Sequence, residues 1–283
     1  MPTAVLLISC RDQPGLVHAV AEFVLSQSGN IVHAEQHIDP ESSVFFQRVE
    51  FELPPAGLDV ARLAHAFAPT AERFGMAVQA RRSDDRPRVA LLASTQPHCL
   101  ADLLARWQSG ELPAEIVAVI SNHTEHAELA AFHHVPYHHL PVTPQTRDAQ
   151  EAELLDVLRR HDTELVVMAR YMQVLGPRVL SAYPSQIINI HHSFLPAFVG
   201  ARPYHQAQQR GVKLVGATAH YATADLDEGP IIAQDVTPVS HRDSVTDLVR
   251  KGRDLEKVVL ARAVRAHVEH RTLVYGNKTI VFG

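Results

Sequence analysis

Residues 187–196 read IINIHHSFLP: an apolar, strand-like run passes into polar side chains and then into a loop that contains proline. Three further apolar runs, at residues 89–93, 115–120 and 165–169, precede it and alternate with segments of helical periodicity. Short apolar strands that alternate with helices predict a mostly parallel sheet covered by helices on both faces. In an open sheet of this kind, ligands bind just beyond the carboxyl ends of the strands. The polar end of the run at 187–196 is therefore the first place to expect a functional site.

The first third of the chain has a different order of elements. Its pattern is a strand at residues 3–9, a helix from Leu16 to Gly29-Asn30, strands at 31–38 and 44–53, a helix from about Leu58 to Phe74 and a strand at 76–80. This β-α-β-β-α-β order is the split βαβ arrangement of ferredoxin-like domains. The charged stretch RRSDDRPR at residues 81–88 is expected to be a linker. The chain is thus predicted to be α/β, with a ferredoxin-like domain at residues 1–84 and a Rossmann-like domain with a mostly parallel sheet at residues 85–283.

Composition and charge exclude several functional classes. The chain has 283 residues, 46% hydrophobic and 20% charged, with 26 Lys and Arg against 31 Asp and Glu. The acidic excess lies in residues 1–85, which hold 6 Arg, no Lys and 11 acidic residues, and neither part has the basic surplus typical of nucleic-acid binding. No apolar run reaches the roughly 18–20 residues that cross a bilayer, and the first residues lack the basic region of a signal peptide. We expect a cytoplasmic protein without nucleic-acid or membrane partners.

Nineteen histidines are a surplus that could indicate a metal site. Three adjacent pairs stand out, at residues 133–134, 138–139 and 191–192. Neighbouring residues on a strand point to opposite faces, so such pairs are poor chelates. The pattern HExxH of zinc proteases is absent from the sequence. We therefore expect neither a metal nor a cofactor.

Two short segments carry groups suited to acid–base chemistry. Asn189 and His191 are two residues apart on the predicted strand and project from the same face, where an amide and an imidazole could stabilise an oxyanion. Downstream, Asp225, Asp227 and Glu228 form an acidic loop that could supply a general acid or base. Each segment also fits a plainer interpretation, since the first could be a polar strand end with a core histidine and the second a solvated turn.

Taken together, the two segments resemble the folate-dependent formyltransferase family. The patterns are N-I-H-x-S-x-L-P-x-F-x-G at residues 189–200 and H-Y-x-T-x-x-L-D-x-G-P-I-I at residues 220–232. The resemblance implies that Asn189, His191 and Asp227 are the catalytic residues. It also implies that a loop at residues 169–175 holds the pterin ring of the substrate through its backbone. The implied substrate-binding residues are Met172, Gln173, Val174, Leu175, His192, Ser193, Gly200, Thr223 and Asp225.

The first domain resembles an ACT module, a regulatory domain that commonly binds amino acids. The resemblance rests on Asp12-Gln13-Pro14-Gly15-Leu16 and on Gly29-Asn30-Ile31. It implies an amino-acid effector bound by Asp12, Gly15 and Asn30, and a homo-oligomer formed by pairing of the modules. Pairing without any effector is the alternative.

Within the family, the order of an ACT module followed by the catalytic domain resembles the members whose formyl acceptor is water. The turn at residues 93–99 has no glycine, and Pro97 removes one backbone donor, which disfavours a cradle for a substrate phosphate. The segment from His98 to Leu112 is also similar to those hydrolases. The alternatives are transfer of the formyl group to an amine acceptor and a folate sensor without catalysis.

The resemblance therefore implies hydrolysis of 10-formyltetrahydrofolate, a small-molecule folate, to formate and tetrahydrofolate. The formate would supply purine synthesis, and the reaction would balance the one-carbon folate pools. Asn189 and His191 would donate hydrogen bonds to the oxyanion of the tetrahedral intermediate, while Asp227 would hold His191 and position or deprotonate the water.

Overall fold

A computed structural model describes residues 3–54, 59–196 and 203–283. The chain divides into two compact units, one of Met1–Asp85 with Glu269–Leu273 and Ile280–Gly283, the other of Arg86–Val268 with Val274–Thr279. The C-terminal part of the first unit is anchored by the buried Phe282 and by the carbonyl of His270, which accepts a hydrogen bond from Nε of Arg48 at 3.0 Å. The division into functional domains at residues 84 and 85 stays a prediction.

The first unit has the β-α-β-β-α-β order expected of a ferredoxin-like domain, and that expectation is confirmed. Its elements are β1 (Ala4–Arg11), α1 (Leu16–Ser26), β2 (Asn30–Asp39), β3 (Val44–Glu52), α2 (Val60–Phe74) and β4 (Ala77–Arg82). Among the described residues the strands form an antiparallel sheet in the order β2-β3-β1-β4. The core contains Leu6 and Ile8 of β1 with Phe51 of β3. Phe23 and Phe67 connect the two helices through an edge-to-face contact with ring centroids 4.7 Å apart.

One predicted boundary in this unit falls outside the described residues, and another differs from the structure. The predicted helix start at Leu58 lies outside the described residues, and α2 begins at Val60, where the side chain of Asp59 caps the helix by accepting hydrogen bonds from two backbone N–H groups. The predicted linker at residues 81–88 was too long, because Arg81 and Arg82 pair with β1 and Arg88 opens the next strand. Charged residues fit into β4 because it is an edge strand, along which side chains reach solvent.

The second unit is built on a mostly parallel sheet, as predicted. Its elements up to the end of the sheet are β5 (Arg88–Ala93), α3 (His98–Gln108), β6 (Glu115–Ser121), α4 (Ala127–Phe132), β7 (Tyr137–His139), α5 (Arg147–Arg160), β8 (Leu165–Met168), α6 (Pro177–Ala182), β9 (Ile187–His191), α7 (Pro203–Arg210), β10 (Leu214–Tyr221) and β11 (Ile231–Pro238). In the described part of the chain the strand order is β11-β10-β9-β8-β5-β6-β7. Strands β5 to β9 are parallel, whereas β10 and β11 are antiparallel to their neighbours.

Alternation along the strands produces two separate cores. Leu91 of β5 packs with residues of α3 such as Leu104 on one face, and the neighbouring Leu92 packs with residues of α5 such as Leu154 on the other. Both faces of the strand are covered by helices, which explains its continuous apolar run. The chain moves from β5 outward to β7 and then returns to β8 on the other side of β5. The carboxyl ends of β5 and β8 therefore flank a topological switch point, where a ligand cleft is expected.

A long C-terminal helix was not predicted. It is α8 (Val245–Val268), and it is followed by the hairpin strands β12 (Thr272–Tyr275) and β13 (Lys278–Val281). Buried residues of α8, among them Val259 and Val264, join the core that contains Leu91. Among the described residues, no helix combines the length and the apolar character needed to span a bilayer.

Candidate active site

Strand pairing places the two predicted oxyanion-binding groups. Asn189 lies opposite His220, and His191 lies opposite Thr218, in the antiparallel ladder of β9 and β10. Oγ1 of Thr218 accepts a hydrogen bond from the backbone N–H of Leu195 at 3.1 Å and donates one to the carbonyl of Ser193 at 2.9 Å. The fully buried Thr218 thus holds the chain as it leaves β9, so the position of His191 is fixed from both sides.

The loop between β10 and β11 carries Asp227 into the same site. Asp227 has a φ of +60°, in the left-handed region that a β-carbon disfavours. Two residues later, a Cβ built on Gly229 would lie 1.9 Å from the carbonyl oxygen of Tyr221. Only glycine permits this approach of two backbone segments, which is the physical reason for a glycine at this position of the motif.

Three of the predicted groups meet, and a fourth joins them. Oδ1 of Asp227 lies 3.2 Å from Nδ1 of His191 and 3.6 Å from Nε2 of His220. Nδ2 of Asn189 lies 3.3 Å from the same Nε2 of His220, whose Nδ1 is 3.0 Å from the carbonyl of Tyr221. If Nδ1–H donates to that carbonyl, the neutral ring accepts the amide N–H of Asn189 at Nε2. His220 therefore orients Asn189, a role that the sequence did not settle.

The electrostatics of the site follow from these contacts. The hydrogen bond from His191 holds the pKa of the Asp227 carboxyl well below its usual range, although partial burial opposes the effect. Asp227 is therefore a carboxylate at neutral pH. Nε2 of His191 is buried and has no hydrogen-bond partner within residues 3–54, 59–196 and 203–283. A buried polar atom of this kind needs a partner, and a ligand in the cleft can supply one.

The catalytic candidates line a cleft of about 630 Å³, a size typical of small-molecule sites. Met172, Gln173 and Val174, from the loop after β8, and His192 also line it. A smaller adjoining pocket of about 50 Å³ adds Leu175 and Thr223, and it shares Asn189 and Asp227 with the cleft. Six of the nine proposed substrate-binding residues thus line one or both of these cavities.

The other proposed substrate-binding residues are placed differently. Ser193 is buried, and its carbonyl is bound by Thr218; Asp225 is exposed in the loop before Asp227. Neither is among the described residues that line the two cavities. Gly200 lies outside the described residues.

The loop after β8 is held by side chains from neighbouring elements. Ser94, just after β5, accepts a hydrogen bond from the backbone N–H of Met172 at its Oγ (3.0 Å), and its own N–H donates to the carbonyl of Arg170 at 3.2 Å. Glu151 of α5 accepts the N–H of Gly176 at 2.6 Å. The backbone of this loop is thus held in place beside the cleft by Ser94 and Glu151.

A buried cluster beside the cleft was missed in the sequence. It centres on Glu256 of α8, and its other members, His98, Arg170 and Tyr204, come from separate parts of the second unit. No local pattern could have revealed it, because each member is an ordinary polar residue within its own element. Potential metal-ligand atoms of His98, Cys99 and Glu256 lie within 4.8 Å of one another, but the guanidinium of Arg170 already faces the same carboxylate and would repel a cation.

The proposed effector residues of the first unit are not brought together within one chain. Asp12 and Gly15 lie between β1 and α1, and Gly15 begins α1 with a φ of +94°. Asn30 begins β2, beyond the other end of α1. Eleven helical residues at about 1.5 Å each separate the two positions by roughly 16 Å. The reason is that β1 and β2 run in the same direction, so α1 carries the chain back to the end of the sheet at which β1 begins before β2 starts.

His192 predicts how the stability of the protein depends on pH. Burial, followed by the positive charge of Arg170, lowers the pKa of His192 to about 4 from an ordinary value of 6.5. Between these values the unfolded chain binds a proton that the folded chain does not, so the free energy of unfolding should fall as the pH drops from 6.5 to 4. The contribution approaches about 1.4 kcal/mol per pH unit. His192→Gln should reduce this slope in urea unfolding measured across the pH range.

The exposed His241→Gln is the matched control, and we expect it to keep the wild-type slope. Equal slopes for wild type and His192→Gln would contradict the assignment of a buried, neutral His192.

Comparisons with known proteins agree with the geometry. Residues 87–264 match the family model described as formyl transferase. A formyltetrahydrofolate deformylase of Synechocystis sp. is 54% identical, over 99% of this chain and 98% of that protein. The crystal structure of a formyltetrahydrofolate deformylase from Pseudomonas syringae pv. tomato has a TM-score of 0.97 at 50% identity and covers 100% of this chain and 95% of its own. A glycinamide ribonucleotide transformylase from Symbiobacterium toebii has a TM-score of 0.66 at 33% identity, over 70% of this chain and 95% of that one. This chain belongs to the formyl transferase family and, within it, to the formyltetrahydrofolate deformylases.

Proposed function

We propose that this chain hydrolyses 10-formyltetrahydrofolate to formate and tetrahydrofolate, with Asn189, His191 and Asp227 acting at the formyl group. The observation that carries the proposal is the contact of 3.2 Å between the carboxylate of Asp227 and Nδ1 of His191, while Nε2 of the same ring faces the cleft without a partner among the residues that the structure describes. One face of the site thus offers a base, and the other offers a donor for an oxyanion.

The steps follow from the positions of these groups. A water molecule attacks the formyl carbon, and Asp227 positions it and accepts its proton. The oxyanion that forms accepts hydrogen bonds from Nε2–H of His191 and from the amide N–H of Asn189 that His220 does not use. The bond from the formyl carbon to the folate nitrogen then breaks, the nitrogen takes up the proton that Asp227 accepted from the water, and formic acid leaves and ionises to formate.

The substrate is proposed to bind with its pterin ring against the loop after β8. The backbone of this loop is fixed by Ser94 and Glu151, and the side chains of Leu175 and Thr223 line the small pocket at its end. Met172 and Val174 are 56% and 53% exposed, which leaves apolar surface for an aromatic ligand to cover. His192, Ser193, Gly200 and Asp225 remain proposed contacts.

The test of function is an incubation of the purified protein with 10-formyltetrahydrofolate and no acceptor. We expect formate and tetrahydrofolate to appear in equal amounts. Formate that appears only after an amine is added would favour a formyltransferase, and binding without turnover would favour a folate sensor.

Removal of the charge of Asp227 should stop the reaction without unfolding the protein. Asp227→Asn keeps the shape of the side chain, so we expect kcat for formate release to fall by at least about 100-fold, the scale of losing a general acid–base group. Glu228→Gln, exposed in the same loop, is the matched control and should keep wild-type turnover. A folded Asp227→Asn protein that turns over within tenfold of wild type would contradict the assigned role.

Removal of the amide of Asn189 should act on the transition state. If Asn189 is a principal oxyanion donor, Asn189→Ala should raise the barrier by about 2.7–4 kcal/mol, or 10²–10³ in kcat, with a smaller change in KM. Asn277→Ala, in an exposed turn, is the control. An effect confined to KM would assign Asn189 to substrate binding instead.

For the first unit we propose an ACT-type regulatory role in a homo-oligomer, with an amino-acid effector at Asp12, Gly15 and Asn30. The edge strand β2 leaves Ile31, Val32 and Ile38 exposed by 38%, 49% and 44%. An exposed edge strand with apolar side chains is suited to pairing with another chain. Because α1 separates Asn30 from Gly15 within one chain, an effector site that uses both residues would need a second copy of the chain.

This proposal predicts the outcome of sedimentation experiments. Wild type should sediment as a dimer or larger, and Ile38→Lys on β2 should shift it toward the monomer because a lysine on an edge strand opposes pairing. Leu25→Lys, on the exposed face of α1, is the control. A monomeric wild type would contradict pairing, and turnover that stays constant with added glycine, methionine or serine would contradict an effector of that kind.

We also propose that the protein acts in the cytoplasm and that its formate supplies purine synthesis while the reaction balances one-carbon folate pools. The two cysteines, Cys10 and Cys99, are free and buried, as is usual in a reducing compartment.

A further inference from the structure

The buried cluster around Glu256 forms one wall of the cleft. Oε1 of Glu256 accepts a hydrogen bond from the hydroxyl of Tyr204 at 2.9 Å, and Oε2 lies 2.7 Å from Nε2 of His98 and 3.5 Å from Nε of Arg170. All four residues line the same cleft as the catalytic candidates. We call these four residues the acceptor wall.

The acceptor wall is fixed in place by charge. The side chain of Glu256 is 2% exposed, and those of His98 and Arg170 are 12% and 14% exposed. Burial by itself would raise the pKa of Glu256, but the hydrogen bond from His98 and the charge of Arg170 outweigh it and lower the pKa. Glu256 is therefore a buried carboxylate, and separating it from its partners would leave an uncompensated charge. A molecule that enters the cleft cannot easily displace these side chains.

The acceptor wall is connected to the catalytic candidates by contacts between neighbouring rings. The ring centroids of His191 and His192 are 5.0 Å apart, and those of His192 and Tyr204 are 6.3 Å apart. Tyr204 is thus separated from His191 by a single side chain. A group that enters the cleft beside Tyr204 therefore lies one side chain away from His191.

Gly252 makes room for the wall. It lies one turn before Glu256 on α8, on the same side of the helix. A Cβ built on Gly252 would lie 1.9 Å from the hydroxyl oxygen of Tyr204. The glycine therefore allows the phenol ring to lie against the helix and to reach the carboxylate.

We propose that the acceptor wall excludes amines from the catalytic centre, so that water is the nucleophile that reaches the formyl carbon. This inference rests on the proposed hydrolysis. The fold does not select the acceptor, because the structure named a glycinamide ribonucleotide transformylase shares it with a TM-score of 0.66. The choice must then depend on side chains in the cleft, and the acceptor wall occupies the space beside His191 and His192.

The reaction that the acceptor wall would prevent is transfer of the formyl group to an amine. The nitrogen of a neutral primary amine would attack the formyl carbon, the bond from that carbon to the folate nitrogen would break, and the proton lost by the amine would pass to the folate nitrogen. The products would be an N-formyl amine and tetrahydrofolate in place of formate and tetrahydrofolate.

The test measures how the formyl group is partitioned between water and an amine. Each protein is incubated with 10-formyltetrahydrofolate carrying ¹³C in the formyl group and an excess of glycinamide, and formate and N-formylglycinamide are quantified by NMR after subtraction of the enzyme-free reaction. Tyr204→Ala removes the ring, and Gly252→Ala displaces it while all four wall residues remain. We expect both to raise the ratio of N-formylglycinamide to formate by at least about tenfold over wild type, the lower end of what one pocket group contributes to discrimination.

Two further variants separate the effect of the Tyr204 ring from the effects of its hydroxyl group and of changes elsewhere in α7. Tyr204→Phe keeps the ring, so its ratio should stay near that of wild type. Gln209→Ala, exposed on α7, is the control for changes in that helix and should match wild type in ratio and in turnover. Because Gly252→Ala does not alter Tyr204 itself, it remains informative if Tyr204→Ala fails to fold.

The outcomes distinguish this inference from the proposed function. A wild type that releases no formate contradicts the proposed hydrolysis. A wild type that releases formate, together with folded Tyr204→Ala and Gly252→Ala proteins of unchanged ratio, contradicts the acceptor wall alone. Folded variants that form neither product also contradict it, because the wall would then be needed for attack by water.

Discussion

The contact between the carboxylate of Asp227 and Nδ1 of His191 is the interaction on which the site depends. It keeps Asp227 ionised, fixes one nitrogen of the imidazole and directs the other toward the cleft. The contact requires an unfavourable backbone conformation at Asp227 and a close approach of two backbone segments that only Gly229 allows. Local strain and a specific glycine are thus part of how the charge is positioned.

The sheet explains why these groups meet at one place. Parallel strands deliver their carboxyl ends to a common edge, and the reversal of strand order around β5 opens a cleft there. The antiparallel strand β10 then adds His220 next to Asn189 and supports the chain beyond His191 through Thr218. The parallel strand β9 carries the catalytic candidates Asn189 and His191, and the antiparallel extension supports them and supplies Asp227 from the loop between β10 and β11.

The same cleft combines two kinds of electrostatic arrangement. At the catalytic centre a carboxylate and a histidine leave one donor unpartnered among the described residues, which suits a charge that develops during the reaction. At the acceptor wall, Glu256 is surrounded by its partners, so the charges are compensated and the side chains stay in place. A catalytic centre with a free donor beside a wall of compensated charges is the physical basis of the proposal that the cleft accepts a formyl donor and admits water but not amines.

The sequence by itself determined the two domain types, most of the helices and strands, and the catalytic candidates Asn189, His191 and Asp227. It could do so because the periodicity of strands and helices is a local property, and because the two motifs whose family resemblance implies the three candidates are each contiguous in the chain. Tertiary structure decided the rest. It placed His220 between Asn189 and Asp227, assembled Glu256 with partners from distant elements, and separated Asn30 from Gly15 by the length of α1. These relationships depend on strand order and on helix packing, which join residues far apart in sequence, so no local pattern of residues could have contained them.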